Sequence, residues 1–418
     1  MSARHQLRWS TGWTLALVAT GLVESGAARS RDMDALAVLE EARLNAPVVT
    51  ASGTMAVSVD VDGDTAVVGS PLDRSAYVYA RSGNTWTLET TLTAKGRHDF
   101  DYFGWAVAID GDTIAVGAFR DLDDQGSVSV FSRTKNGWAR EAKLTASDGL
   151  PGDRFGVSVA VSGDTLVVGA DSDFSTFPDQ GSAYVFTRVG KKWIEQAKLI
   201  SSEPHVQALF GESVAIDGDI VVVGAFQDSV VRDNVVYGDQ GAAYVFVRSG
   251  TSWTQEARLT PSDGGFRDFF GVSVAVHGNT AVVGAYHSNV GQNVEQGAAY
   301  VYTRSGTIWV EEAKLTALAG GPEANFGISV AIQGDTVAVG AWLEDVGGTT
   351  NQGAVYMFAR SGTTWTEQLT LTASDAAAWD TFGRSVAIDG DTLVVGSPQA
   401  KVDGDIPEGA AYVFRGIQ

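Results

Sequence analysis

The stretch Phe210-Gly-Glu-Ser-Val-Ala-Ile216 is followed by Asp217-Gly218 and, two residues on, by Val221-Val-Val-Gly-Ala225. Two short runs of small and β-branched residues around an Asp-Gly pair read as a β-hairpin, with that pair as a two-residue type I′ turn. A polar stretch then reaches Asp239-Gln240-Gly241, and Ala242-Ala-Tyr-Val-Phe-Val-Arg248 reads as a third strand. Ser249-Gly250-Thr251 turns the chain into a fourth, Trp253-Thr-Gln-Glu-Ala-Arg-Leu259. The third strand is apolar on both faces, which places it between two packed sheets. In the fourth, Trp253, Gln255, Ala257 and Leu259 share one face, while Thr254, Glu256 and Arg258 share a charged one that suits an outer edge. The first strand, built from Ser, Ala and Val, suits the crowded innermost position.

The same pattern recurs. Its turn glycine falls at Gly63, Gly111, Gly163, Gly218, Gly278, Gly334 and Gly390, and the repeats start near residues 55, 103, 155, 210, 270, 326 and 382. Periods of this length mark solenoids, propellers or arrays of modules. Seven four-stranded antiparallel sheets arranged radially make an all-β, seven-bladed β-propeller. The seventh repeat stops after Tyr412-Val-Phe414 without a fourth strand. At the other end of the chain, Val38-Leu-Glu-Glu-Ala-Arg-Leu44 lines up with Trp309-Val-Glu-Glu-Ala-Lys-Leu315, with Val38 in place of the tryptophan. Residues 38–44 are therefore expected to complete the last blade and close a propeller spanning 38–414. Taken alone, Met33 to Leu44 would pass for an amphipathic helix. An unfilled outer position, however, would leave Tyr412 and Phe414 at an open edge.

Phe-Gly at 103–104, 155–156, 210–211, 270–271, 326–327 and 382–383, with Val-Gly-Ala or Val-Gly-Ser after each turn, resembles the FG-GAP repeat. Met55-Ala56 replaces Phe-Gly in the first repeat, and only Ser70-Pro71 and Ser397-Pro398 keep the proline of the family name. That repeat builds the propeller of integrin α subunits and occurs in bacterial exported proteins. The resemblance implies a non-catalytic module for protein interaction or adhesion. It also brings calcium, which integrins hold in long loops between the first and second strands. Here each of those connections is a two-residue hairpin, too tight to wrap the 6–8 oxygens that calcium prefers. The expectation is no cofactor, with Asp60, Asp62 and Asp64 acting as turn formers.

Composition narrows the partners. The formal charge is −21, with no basic stretch to release phosphate counterions, so nucleic acid is not an expected partner. There is no cysteine, hence no disulfide, thiol nucleophile or Cys-ligated metal. Arg4 and Arg8, the apolar run Trp13 to Val23 and the small residues Gly26, Ala27 and Ala28 follow the order of a secretory signal peptide. Residues 1–28 are read as that signal and 29–37 as a linker. The expected product is a secreted, periplasmic or cell-surface monomer without a membrane span.

The sequence carries no metal-ligand spacing among its five histidines, no nucleophile elbow and no phosphate-cradling loop. The expectation is a protein that is not an enzyme, with a carbohydrate-active enzyme as a remote alternative. Trp86, Trp138, Trp193, Trp253, Trp309 and Trp365 share one register, which reads as packing between blades. Candidate ligand contacts lie in the loops from second to third strand and between blades, which open on one face. They are the aromatics Phe119, Phe226, Tyr286, Trp342 and Trp379 and the carboxylates Asp121, Asp124, Asp228 and Asp345. Flat rings and acceptor oxygens suit a basic protein segment or a glycan, so the expected partner on this face is a protein, with a lectin as the alternative.

Overall fold

A computed structural model describes residues 38–47, 54–94, 100–173, 178–203, 205–232, 235–401 and 407–417. The signal peptide and linker read from residues 1–37 lie outside them. The described residues form seven four-stranded antiparallel sheets arranged as the blades of a propeller, plus one small two-stranded hairpin. Blade 4 shows the plan: Phe210–Asp217, Ile220–Ala225, Ala242–Ser249 and Ser252–Leu259 run from the centre outward. The second strand is wholly buried and the third nearly so, as expected of strands covered by neighbouring sheets.

Blade 7 is made from both ends of the chain. Leu39–Asn45 pairs antiparallel with Ala410–Arg415, beyond Thr392–Ser397 and Ser385–Asp389. Leu44 is buried in the cluster shared with blade 1, and Tyr412 and Phe414 are buried against blade 6. The strand reading holds over Leu39–Asn45, and among these described residues the helix the sequence resembled locally does not form. Edge pairing and the apolar cluster decide it.

Two details differ from the sequence reading. Asp217 pairs with Ile220, so the turn residues are Gly218 and Asp219, one place later than read. Only the glycine has positive φ, which is the Gly-first requirement of a II′ turn rather than the I′ turn expected. The fourth strands also do not alternate strictly. Each carries a bulge, between Gln255 and Ala257 in blade 4, so Glu256 turns toward the next blade instead of toward water. Arg258 is likewise drawn in, by the buried Asp228.

The glycines of the repeat let backbones touch. A Cβ on Gly224 would lie 1.9 Å from the carbonyl oxygen of Gly271 in the next blade. Gly271, at φ 93°, sits so close to the third strand of blade 4 that its own Cβ would meet the Ala242 oxygen at 2.4 Å. The preceding phenylalanine is fully buried in six repeats and packs edge-on or tilted against an aromatic of its own blade's third strand. Met55 fills the phenylalanine's place with no exposure, while Ala56 adopts φ 69°, a conformation that favours glycine.

Candidate functional site

The ring has a hairpin face, where first strands turn into second, and a long-loop face opposite. On the hairpin face the residue before each turn glycine ties one blade to the next. Asp62 accepts from the Gly111 N–H at 2.8 Å, Asp217 from Gly278 at 2.6 Å and Asp389 from Gly63 at 2.7 Å, the last across the closure. These aspartates are spoken for by backbone, and the two-residue turns do not fit integrin-type calcium. Among the described residues, no three His, Asp or Glu side chains are grouped to hold a metal.

The flanks are latched in the same periodic way. The bulge residue of one blade accepts the indole N–H of the next blade's tryptophan at 2.8–3.3 Å: Glu41 for Trp86, Glu89 for Trp138, Glu141 for Trp193, Gln196 for Trp253, Glu256 for Trp309 and Glu312 for Trp365. An arginine on the third strand stacks over the same ring in five blades, as Arg248 does over Trp253 at 5.3 Å. In blade 5, Arg304 instead makes two bonds to Glu256. The tryptophans are structural, as their shared register suggested, and the acidic bulge that receives them escaped the sequence reading.

On the long-loop face the candidate carboxylates are engaged within the protein. Asp121 and Asp228 occupy one repeat position and are buried. Asp121 accepts from Ser127 and pairs with Lys143, while Asp228 accepts from Tyr244 and pairs with Arg258 at 2.8 Å. Asp124 pairs with Arg120 at 3.0 Å, and Asp345 accepts from the Asn351 N–H at 2.7 Å within its own loop. Three glutamines at the repeat position before the glycine that leads into the third strand donate to loop carbonyls: Gln125 to Gly149 at 2.9 Å, Gln296 to Ala317 and Gln352 to Val346.

Phe119, Phe226, Tyr286 and Trp342 surround the mouth of the central channel. Phe119 is buried beneath Arg154 and beside Tyr102 and Trp105. Phe269 bridges Phe226 and Tyr286, stacking on the latter with an 18° interplanar angle. Trp342 donates to Asn325 at 3.0 Å and lies under the Arg384 guanidinium. Trp379 alone among the five is exposed, at 60%, with φ 71°. It lies in the loop between blades 6 and 7.

Inside the mouth, the long-loop end of the channel widens to a chamber of about 450 Å³. Each blade contributes the residue after its Phe-Gly (Met55-Ala56 in blade 1) and the Ser-Val or equivalent that follows. The serines are used between blades: Ser213 donates to the Gly271 carbonyl at 2.8 Å, and Ser385 closes the circle onto Ala56. Five of the leading positions are apolar: Val57, Trp105, Val157, Val272 and Ile328. The other two are Glu212 and Arg384, which sequence reasoning missed. Their only signal was a charge at a repeat position that is otherwise apolar. Burial, reinforced by the hydrogen-bonded Asp171, holds the Glu212 carboxyl well above the usual range. Asp171 is itself buried and raised by desolvation, opposed by Arg154 at 2.8 Å. A hydrogen bond between two carboxyls needs a proton, and the arginine on Asp171 favours Glu212 as its carrier.

The FG-GAP repeat model matches residues 86–131, 138–186, 193–246, 253–302, 309–358 and 365–414. The chain belongs to the FG-GAP repeat family. Each matched unit begins at a latch tryptophan in the fourth strand of one blade and ends in the third strand of the next, so it straddles a seam. Among solved structures, that of U3-55K superposes with a TM-score of 0.56 at 13% identity, covering 89% of this chain and 97% of that one. At that identity the likeness is one of fold. No helix among the described residues is long and apolar enough to cross a membrane.

Proposed function

We propose that this FG-GAP protein is an exported, non-catalytic scaffold that binds another protein on its long-loop face. One observation carries the reading. Every loop between successive blades from 1 to 7 presents a large exposed apolar side chain there: Phe100, Leu150, Val206, Phe266, Leu318 and Trp379. The small hairpin of blade 4, Val230–Arg232 with Val235–Tyr237, adds exposed Val231, Val235 and Val236. The hairpin-face turns between first and second strands carry no such side chains. The third-to-fourth-strand turns of that face expose Val189 and Ile308, fewer than the long-loop face, and a concentration of apolar groups on one face marks an interaction surface.

A lectin is the second reading. It rests on the ring of Trp379, flat and open as a sugar-stacking surface requires.

The test uses the full chain and a variant carrying Phe100→Ser, Phe266→Ser and Trp379→Ser. A partner is captured from cell-surface extract, identified and purified, and its affinity is measured for both. The variant should bind at least tenfold more weakly. Equal affinity sinks the proposal, and a specific glycan-array signal abolished by Trp379→Ala would favour the lectin instead.

A further inference from the structure

The chamber at the long-loop end of the channel contains an imbalance of charge. Arg154 and Asp171 compensate one another at 2.8 Å, and burial beside Asp171 disfavours the charged form of Glu212. That leaves the Arg384 guanidinium, which faces the chamber, stacks 5.4 Å from the Trp342 ring centre and makes no hydrogen bond or ion pair with the described residues. Its charge is felt across the channel by Glu212 and by Tyr286, yet neither bonds to it. An arginine fork without an acceptor, in a protein of net charge −21, is a vacancy for an anion.

The walls select among anions. Val57, Val157, Val272 and Ile328 are apolar, Trp105 and Trp342 offer ring faces, and the serine hydroxyls are committed to neighbouring blades. Besides Glu212 and Arg384, the polar side chains not held by neighbouring blades are Thr54 and Gln399, few for a polyhydroxylated body. Only one positive charge is uncompensated, and the Glu212 proton is committed to Asp171, so a monoanion is matched better than a dianion. The volume lies within the range of small-molecule sites.

We propose that the chamber binds a small organic monocarboxylate with an apolar or aromatic body, its carboxylate on Arg384 and its body between Trp342 and the apolar ring. The site is separate from the exposed apolar loops of the long-loop face.

Benzoate is the probe, titrated calorimetrically into the full chain. Benzamide is its neutral counterpart, glucuronate its polar carboxylate counterpart and inorganic phosphate the simple anion. Benzoate should bind saturably and at least tenfold more tightly than the other three. Arg384→Met keeps the stem and removes the charge, and should weaken benzoate about tenfold or more, as expected for loss of a charge-assisted bond. Val272→Trp, which fills the chamber and leaves Arg384 in place, should also abolish binding. Thermal melts establish that both variants are folded. The proposal is overturned if benzoate does not saturate, if benzamide, glucuronate or phosphate binds as well, or if folded Arg384→Met binds benzoate like the parent.

Discussion

The flanks of the ring and the mouth of its channel are built from the same repeat, yet they treat it oppositely. On the flanks, tryptophan, third-strand arginine and bulge acid recur nearly blade by blade, and each is satisfied by the neighbouring blade. At the mouth the corresponding positions diverge. The residue after Gly-Ala or Gly-Ser is Pro71, Phe119, Asp171, Phe226, Tyr286, Trp342 or Pro398. Positions that keep the repeat hold the ring together, and positions that break it are free to make a site. Blade 7 sharpens the contrast. It lacks the tryptophan, and Gln368 of blade 6, which would receive one, bonds Thr366 in its own strand instead. The clasp still makes contacts that another blade repeats: Glu40 accepts from Ser374 as Glu195 does from Ser147, and Arg43 with Tyr412 engages Asp375 as Lys198 with Tyr184 engages Asp148.

The contrast is broken most severely by deleting residues 29–46. This removes an entire strand and the burial of Leu44, and should cost about 5 kcal/mol or more, read as a melting temperature lower by roughly 6 °C or more. A scanning-calorimetry melt that does not move would disprove closure by the clasp. Next comes Trp309→Ala, which empties a latch and strands Glu256 beside Arg304; about 3 kcal/mol should be lost in denaturant unfolding. A cost below about 1 kcal/mol would make the indole latch ornamental. In the opposite direction, Ala56→Gly restores the repeat where its backbone already has φ 69° and should gain about 1 kcal/mol.

The mouth should behave differently. Glu212 holds its proton more firmly folded than unfolded, so the folded protein carries more protons and loses stability as pH rises above the ordinary carboxyl value of 4.5. Glu212→Gln, which keeps a donor toward Asp171, should be nearly neutral at about pH 5 and increasingly stabilising toward about pH 9. Parallel melting curves of the two proteins over that range would refute the shared proton. Smallest of all, Trp379→Ala should change stability by less than about 0.5 kcal/mol, because the ring is exposed. A larger loss would reassign Trp379 to the flank side of the comparison.

The fold was legible because its signals are periodic. Turn glycines, Phe-Gly pairs and tryptophans announce themselves by recurrence, and even the clasp could be found by aligning Val38 to Leu44 with Trp309 to Leu315. The bulge was not legible, since strict alternation assigns Glu256 to solvent and no residue type marks the extra position. The aromatics of the mouth stand out in the sequence, but their burial depends on neighbours such as Phe269 and Arg154, which come from different repeats. Asp121 and Asp228 show the same limit. Each looks like a loop carboxylate until the fourth strand brings Lys143 or Arg258 against it. Glu212 and Arg384 lie 172 residues apart and gain meaning only when the circle brings blades 4 and 7 around one chamber.

Because each matched unit runs from the fourth strand of one blade to the third of the next, the heritable module is the interface and not the blade. Duplicating one such unit would insert a further wedge with both of its contacts already matched, leaving the join of the two termini untouched. Change in ring size by whole units is thus mechanically gentle, whereas a crossover at a blade boundary would have to reinvent two contacts at once.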